Sequence, residues 1–259
     1  MIDRYFIGTS TRTSAEVEGL PIVKVEQVME FGGGAQNVAA NLSALGANVI
    51  LVASEPFPIK NRVECGGVQI ARFDQDDQCQ PTNLEDVQGL VSKIRFDGIV
   101  VSDYGKGAIT KPLRLALLKE AVTNSIPVFV NTKGNPNDWI DYEWVPEVVF
   151  VCNGIEFEQW SDAYRRASQV IVTKGGDGVV RLSKNTETGS YRALTPPSQV
   201  VSVNGAGDTF LSAYTYSSLT DYPQPLWFAN AASAVVVRKP YTATASQTEI
   251  LSLLAPTAS

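Results

Sequence analysis

Five short runs of the chain are almost continuously apolar and rich in β-branched residues: positions 49–53, 98–102, 127–131, 148–152 and 170–173. Runs of that length without polar alternation predict strands covered on both faces. Helical patterns lie between and around them. Positions 34–45 carry apolar residues at Val38, Ala39, Leu42 and Leu45, and Gly46 is placed to end that helix. Thr110 is a candidate cap of a second helix, with Pro112 in its first turn. Ser246 and Glu249 have capping-box spacing ahead of Ile250, Leu251, Leu253 and Leu254. Strands alternating with helices predict an α/β fold, a mostly parallel sheet flanked by helices. Two stretches break the alternation. Tyr5 to Ile7, Ile22 to Val25 and Val68 to Arg72 read as strands with no helix between them. They predict a small β-rich lid, with segments at about 4–30 and 62–74. Positions 55–61, with two prolines, read as a tight connection, and the whole of 1–259 reads as one domain.

Composition narrows the chemistry. The 259 residues are 44% hydrophobic and 19% charged, with 21 Lys and Arg against 27 Asp and Glu, a net charge of -6. An acidic chain argues against a nucleic-acid or anionic-membrane partner. There is no histidine, which excludes Ser-His-Asp and Cys-His catalysis and His-based zinc sites. Asp, Glu, Lys, Asn and backbone amides must carry any reaction. The three cysteines, Cys65, Cys79 and Cys152, have no C-x-x-C spacing, as expected in a reducing compartment. The polar start at Met1 to Arg4 has no signal-peptide character, and no apolar run nears the ~20 residues of a membrane span. A cytoplasmic protein is expected.

Four small-residue motifs remain. The strongest is Val203-Asn204-Gly205-Ala206-Gly207-Asp208-Thr209-Phe210, a glycine loop running into an apolar helix. Helix N-termini present free N–H groups and partial positive charge, and glycine lets a phosphate come close. An Asp beside such an anion hole can take a proton from an attacking hydroxyl, which suits phosphoryl transfer to an alcohol. The plainer reading is a glycine turn with Asp in the first helical turn. In Phe31 to Asn37, three glycines permit close approach and Asn37 offers a donor and an acceptor to a polyol; a wet helix face is the other reading. Asn153 and Glu156 follow a buried strand and could hold hydrated Mg²⁺ beside a triphosphate, or cap a helix. Thr173 to Gly178 could shape a nucleotide pocket or make a turn between strands. No Walker A spacing occurs, which argues against a P-loop fold.

In this order the motifs resemble those of the PfkB (ribokinase-like) carbohydrate kinases. Within them the chain is most similar to the kinase domain of the heptose 7-phosphate kinases of ADP-heptose synthesis. The resemblance is carried by Ile2-Asp3-Arg4-Tyr5 with positions 21–25, by Gly33 to Ala39, and by Ser102 to Gly107. It continues through Thr132-Lys133-Gly134, Asn153 with Glu156, Gly205 to Thr209, and Phe228 to Ala232. It implies a ribokinase-like enzyme moving the γ-phosphoryl group of ATP, with Mg²⁺, to a sugar phosphate. By it, Asp208 is the general base, and the amides of Gly205, Ala206 and Gly207 form the anion hole. Asn153 and Glu156 help to place the metal. Lys174, Gly176 and Asn230 lie along the nucleotide, and Lys133 is a cation on that side. Asp3, Gly33, Gly34 and Asn37 hold the sugar, with Lys106 facing its phosphate; a solvated lysine is the alternative for both cations. Lid strands of the family pair between subunits, so a homodimer through the lid is an expectation. The alternatives are a related sugar or nucleoside kinase, or a degenerate homologue that binds without catalysis. Three departures stand out: the start at Met1 inside the first motif, the short passage from 53 to 62, and Ser202 and Asn204 where the pattern has Asp and Thr. The adenylyltransferase half fused to some members is not expected here.

Overall fold

The computed structural model describes residues 1–75, 79–142 and 144–255. Its lid is one four-stranded sheet made of β1 (Ile2–Thr13), β2 (Pro21–Gly32), β3 (Ile59–Cys65) and β4 (Val68–Gln75). The order is β2-β1-β3-β4, with β1 and β3 parallel and the outer pairs antiparallel. Helix α1 (Ala35–Ala44) leaves β2 through Gly33 and Gly34, and Gly46 at φ +94° closes its far end.

The lid is longer than expected, reaching Ile2 and Gly32 on one side and Ile59 and Gln75 on the other. Positions 59–61, read as connection, are strand. They lie in register beside Ile2 to Arg4, and that cross-chain pairing, invisible locally, fixes their conformation. Positions 49–53 are a second correction, since the segment forms no strand among the described residues. Ile50, Leu51 and Val52 are 47, 44 and 42% exposed. An apolar run becomes a buried strand only where a neighbouring strand and a covering layer exist. Here the chain turns straight through 54–58 into β3 instead.

The second sheet holds β5 (Ile99–Asp103), β6 (Val128–Thr132), β7 (Val148–Asn153), β8 (Gln169–Thr173), β9 (Val179–Ser183) and β10 (Thr186–Tyr191), adjacent in chain order. The first four are parallel and the last two antiparallel. After α2 (Leu84–Val91), three crossovers link the parallel strands: α3 (Lys111–Asn124), α4 (Asn137–Ile140), then α5 (Gly154–Gln159) with α6 (Ser161–Arg166). The chain ends with α7 (Ala206–Leu219), α8 (Pro225–Val236) and α9 (Gln247–Leu254). Strand alternation builds two cores. Phe129, Val149, Val151 and Ile171 face α1, α7, α8 and α9, whereas Val128, Val130, Phe150 and Val172 pack with Leu118, Trp139 and Tyr164. The expected caps form at Thr110 and at the Ser246–Glu249 capping box, each a contribution of about 1 kcal/mol. Among the described residues no helix is long and apolar enough to cross a membrane.

Candidate active site

The parallel strands all end on one side, and their following residues gather there: Tyr104 after β5, Lys133 after β6, Asn153 at the end of β7, Thr173 at the end of β8. Open α/β sheets place ligands at this end because the helix N-termini also point there. The N-terminus of α7 completes the cleft, with Gly205, Gly207 and Asp208 in its wall.

Gly205 has φ +76°, a left-handed conformation that glycine alone takes at little cost. A Cβ there would lie 2.6 Å from Asn37 Nδ2. A Cβ at Gly207, in contrast, would meet nothing within 4 Å, so open space stands before the first turn of the helix. The Ala206 amide, expected in the anion hole, donates instead to the Val203 carbonyl at 3.3 Å. The turn closes on itself there and occupies that donor.

Asp208 is buried, yet both carboxylate oxygens have donors. Asn37 Nδ2 donates to Oδ2 and the Tyr104 hydroxyl to Oδ1, each at 3.2 Å. Burial pushes its pKa up to about 6. The bonds from Asn37 and Tyr104 oppose that rise, the charge of Asp3 adds to it, and that of Lys60 opposes it. Asn37 is buried too, not on a wet helix face. Its amide nitrogen serves Asp208, its Oδ1 accepts from Asn41 at 2.9 Å, and Thr209 Oγ1 donates to Asn41 Oδ1 at 3.1 Å. This relay joins α1 to α7 and sets the carboxylate's orientation.

On the lid side, Asp3 is buried in an ion pair with Arg62 at 2.5 Å. A Cβ on Gly33 would fall 2.4 Å from Asp3 Oδ2, and one on Gly34 3.1 Å from the Tyr104 ring. Asp3, Gly33, Gly34 and Asn37 therefore sit in one cluster about Tyr104 and Asp208. Lys106 is half-buried in the loop after β5, and its carbonyl accepts from the Cys79 amide at 2.7 Å. Lys133 makes an ion pair with Glu156 and lies 5.3 Å from the centroid of the Tyr104 ring.

Asn153 and Glu156 form a capping box at the start of α5, as the plainer reading had it. Glu156 Oε1 also receives the Asn153 side-chain amide at 2.7 Å, while Oε2 accepts the Asn153 N–H at 3.1 Å. Among the described residues no cluster of three or more His, Cys, Asp or Glu could cage a metal. Lys174 and Gly176 are exposed in a short 3-10 turn joining β8 to β9, so the turn reading holds locally. Asn230 is buried on α8 and donates to the Arg192 carbonyl at 2.8 Å. These three lie outside the lining of the Asp208 cleft.

Sequence reasoning missed Tyr104, Lys60, Arg62 and Asn41. Tyr104 carried a signal, a phenol directly after a buried strand inside a motif already singled out. Lys60 and Arg62 carried none, because only the β1–β3 register brings them to Asp3. Asn41 was legible only as a polar position on an apolar helix face. Of the two departures near α7, Ser202 Oγ accepts the Asn204 amide at 3.2 Å, and Asn204 Nδ2 donates to the Tyr5 hydroxyl at 3.1 Å.

A profile of the pfkB family carbohydrate kinases matches residues 157–249. The bifunctional protein HldE of Aliivibrio fischeri is 32% identical over 301 residues, covering 96% of this chain and 61% of that protein. HldE of a Shewanella species is 30% identical over 305 residues, covering 98% and 62%. The chain thus spans less than two thirds of the length of these curated relatives. Among solved structures, Arabidopsis thaliana ribokinase complexed with ribose and ATP aligns with TM-score 0.68 at 17% identity, over 98% of this chain and 95% of that one. Phosphofructokinase-2 from Escherichia coli in complex with substrates and products aligns with TM-score 0.71 at 17% identity, over 97% and 94%. At that identity the two structures speak for the fold, and the sequence matches speak for descent. The sequence matches tie residues 157–249 to the pfkB family carbohydrate kinases and nearly all of the chain to part of the HldE proteins, and the chain has a ribokinase-like fold.

Proposed function

We propose that the chain transfers the γ-phosphoryl group of ATP to a hydroxyl of a sugar phosphate, with heptose 7-phosphate as the acceptor. The observation that carries this reading is Asp208, a buried carboxylate with pKa near 6, held by two donors beside the open N-terminus of α7. A base poised near neutral pH takes a proton efficiently yet stays mostly ionised at work. In the proposed step the acceptor oxygen bonds to the γ-phosphorus as its proton passes to an Asp208 oxygen. The bond from that phosphorus to the bridging oxygen breaks, and the electron pair leaves with ADP. The amides of Gly205 and Gly207 and the positive end of α7 offset the charge on the moving group. Asp3 with Gly33 and Gly34 would border the sugar, Lys106 would lie on the sugar side, and Lys133 beside the phosphates. Lys174, Gly176 and Asn230 would serve the nucleotide further out.

Mg²⁺ commonly keeps several waters and binds through one or two carboxylates and the substrate's own phosphates. The residues present fit that mode and not a direct cage. Glu156 Oε2 has one donor here and keeps a second acceptor position, next to Asn153. The ion would neutralise phosphate charge. A homodimer through the lid belongs to the same reading, supported by apolar residues left open there, among them Val28, Val68 and Phe73. So does a cytoplasmic location, where ATP is supplied. The test is an acceptor screen for ADP release across sugars and sugar phosphates, with heptose 7-phosphate included. ADP formation that depends on a sugar phosphate is expected. Binding of ATP and sugar without acceptor-dependent ADP release would move the chain to the non-catalytic class.

A further inference from the structure

We propose that Lys60 holds the phosphate that the acceptor already carries, and so selects a phosphorylated sugar over its plain counterpart. The inference rests on the kinase reading above and adds to it the residue that reads the acceptor's charge.

The lid presents several cations to the site, and most are answered. Arg62 is paired with Asp3, and Arg72 donates twice to Asp74, at 2.8 and 2.5 Å. On the core side Lys133 is paired with Glu156. Lys60 differs. It stands opposite Asp3 in the β1–β3 ladder and two residues before Arg62, on the same face of the strand. It is half-buried, and its ammonium lies 4.7 Å from the centroid of the Tyr104 ring. Among the described residues no carboxylate comes within ion-pair distance of it. Burial holds its pKa below the ordinary lysine value; Asp3 and Asp208 resist the shift, while Arg72 and Arg62 add to it.

A strongly hydrated point charge is costly to hold half out of water without a counter-ion. An aromatic face offsets part of that cost, and a phosphate dianion would offset far more. The position is informative too. Tyr104 offers its ring to Lys60 and its hydroxyl to Asp208. Lys60 and Asp208 therefore meet one phenol, the ammonium over its ring and the carboxylate at its hydroxyl. A sugar lying along that ring would put a hydroxyl at Asp208 and a phosphate on a distant carbon at Lys60.

The γ-phosphoryl group of ATP is a second source of the same chemistry, and the experiment separates the two. Binding of mannose, mannose 6-phosphate, heptose and heptose 7-phosphate is measured by calorimetry without nucleotide, for the wild type, Lys60→Met and Lys60→Arg. Circular dichroism checks the fold of each, and Lys60→Gln replaces Lys60→Met if that variant fails to fold. The wild type is expected to bind the phosphorylated member of a pair about ten- to a hundredfold more tightly, the range of a charge-assisted hydrogen bond. Lys60→Met should erase the preference and leave the plain sugars unchanged, and Lys60→Arg should keep part of it. The proposal is overturned if Lys60→Met retains the preference, if the wild type has none, or if the loss is seen in the KM for ATP alone. Its fate is separable from that of the kinase reading. A preference that depends on Lys60 in a protein releasing no ADP would sustain the inference and end the kinase. ADP release from plain sugars as fast as from their phosphates would do the reverse.

Discussion

Asp208 is costly to the fold as well as placed for chemistry. Its pKa of about 6 exceeds the ordinary 3.8, so the native state binds this proton more tightly than the unfolded chain does. Stability therefore falls as pH rises from about 4 to about 6, and at neutral pH the buried charge costs about 3 kcal/mol. Asp208→Asn removes both the proposed base and the charge. Turnover should drop by ~10²–10⁴, while Tm at pH 7.5 rises and the difference from wild type shrinks towards pH 4. Thermal melts at the two pH values, with steady-state rates, check this, and a variant that is less stable at pH 7.5 contradicts it. The wild-type kcat/KM should rise with pH through an inflection near 6, because the carboxylate must be ionised to act. Tyr104→Phe takes away a hydrogen bond that favours the ionised form. The acid limb should then move to higher pH, a readout that a purely structural loss would leave in place.

The start of α7 sets the site at the scale of an element. Its approach needs a left-handed residue at Gly205, and the space a side chain would fill is taken by Asn37, which in turn holds Asp208. Gly205→Ala should cost about 1–2 kcal/mol from backbone strain alone. Displacement of Asn37 should lower kcat further. Denaturant titration with assays on the folded fraction separates the two losses. Unchanged stability and rate would mean that the turn accepts another conformation. The start of α5 works differently. Its capping box uses Asn153 and Glu156 to hold the helix and leaves one acceptor position on Glu156 Oε2, and the ion pair with Lys133 ties that helix to the end of β6.

At the scale of the molecule, the lid and the strand ends meet around Tyr104, whose ring lies close to Lys60 of β3 and to Lys133 after β6. The lid's outer residues lack cover: Val28 is 51% and Val68 63% exposed. Apolar exposure of this kind on a sheet favours association with another surface. The chain should sediment as a dimer at micromolar concentration, and Val28→Lys combined with Phe73→Lys should yield a folded monomer. A wild-type monomer at that concentration would end the lid-dimer proposal.

Most strands, and the helices α1, α3, α7 and α9, were readable from the chain because each rests on a local cause. Buried strands need continuous apolar runs, as at 148–152 and 170–173, and helix starts need caps, as at Thr110 and Ser246. The glycine loop before Asp208 was legible for the same reason, since only glycine suits its backbone. Positions 49–53 misled because a strand also needs a neighbour, and the sequence does not say whether one is there. Lys60 and Arg62 were hidden in what read as connection and lid, since pairing register depends on a partner strand far away in sequence. The environment of Asp208 was out of reach for a like reason. A pKa is set by burial and by charges within a few ångströms, and here those come from Asp3, Asn37, Lys60 and Tyr104, on four separate segments. The sequence determined which groups are present and which local shapes they favour. Only the tertiary structure decided which of them are buried together, and the chemistry of the site follows from that.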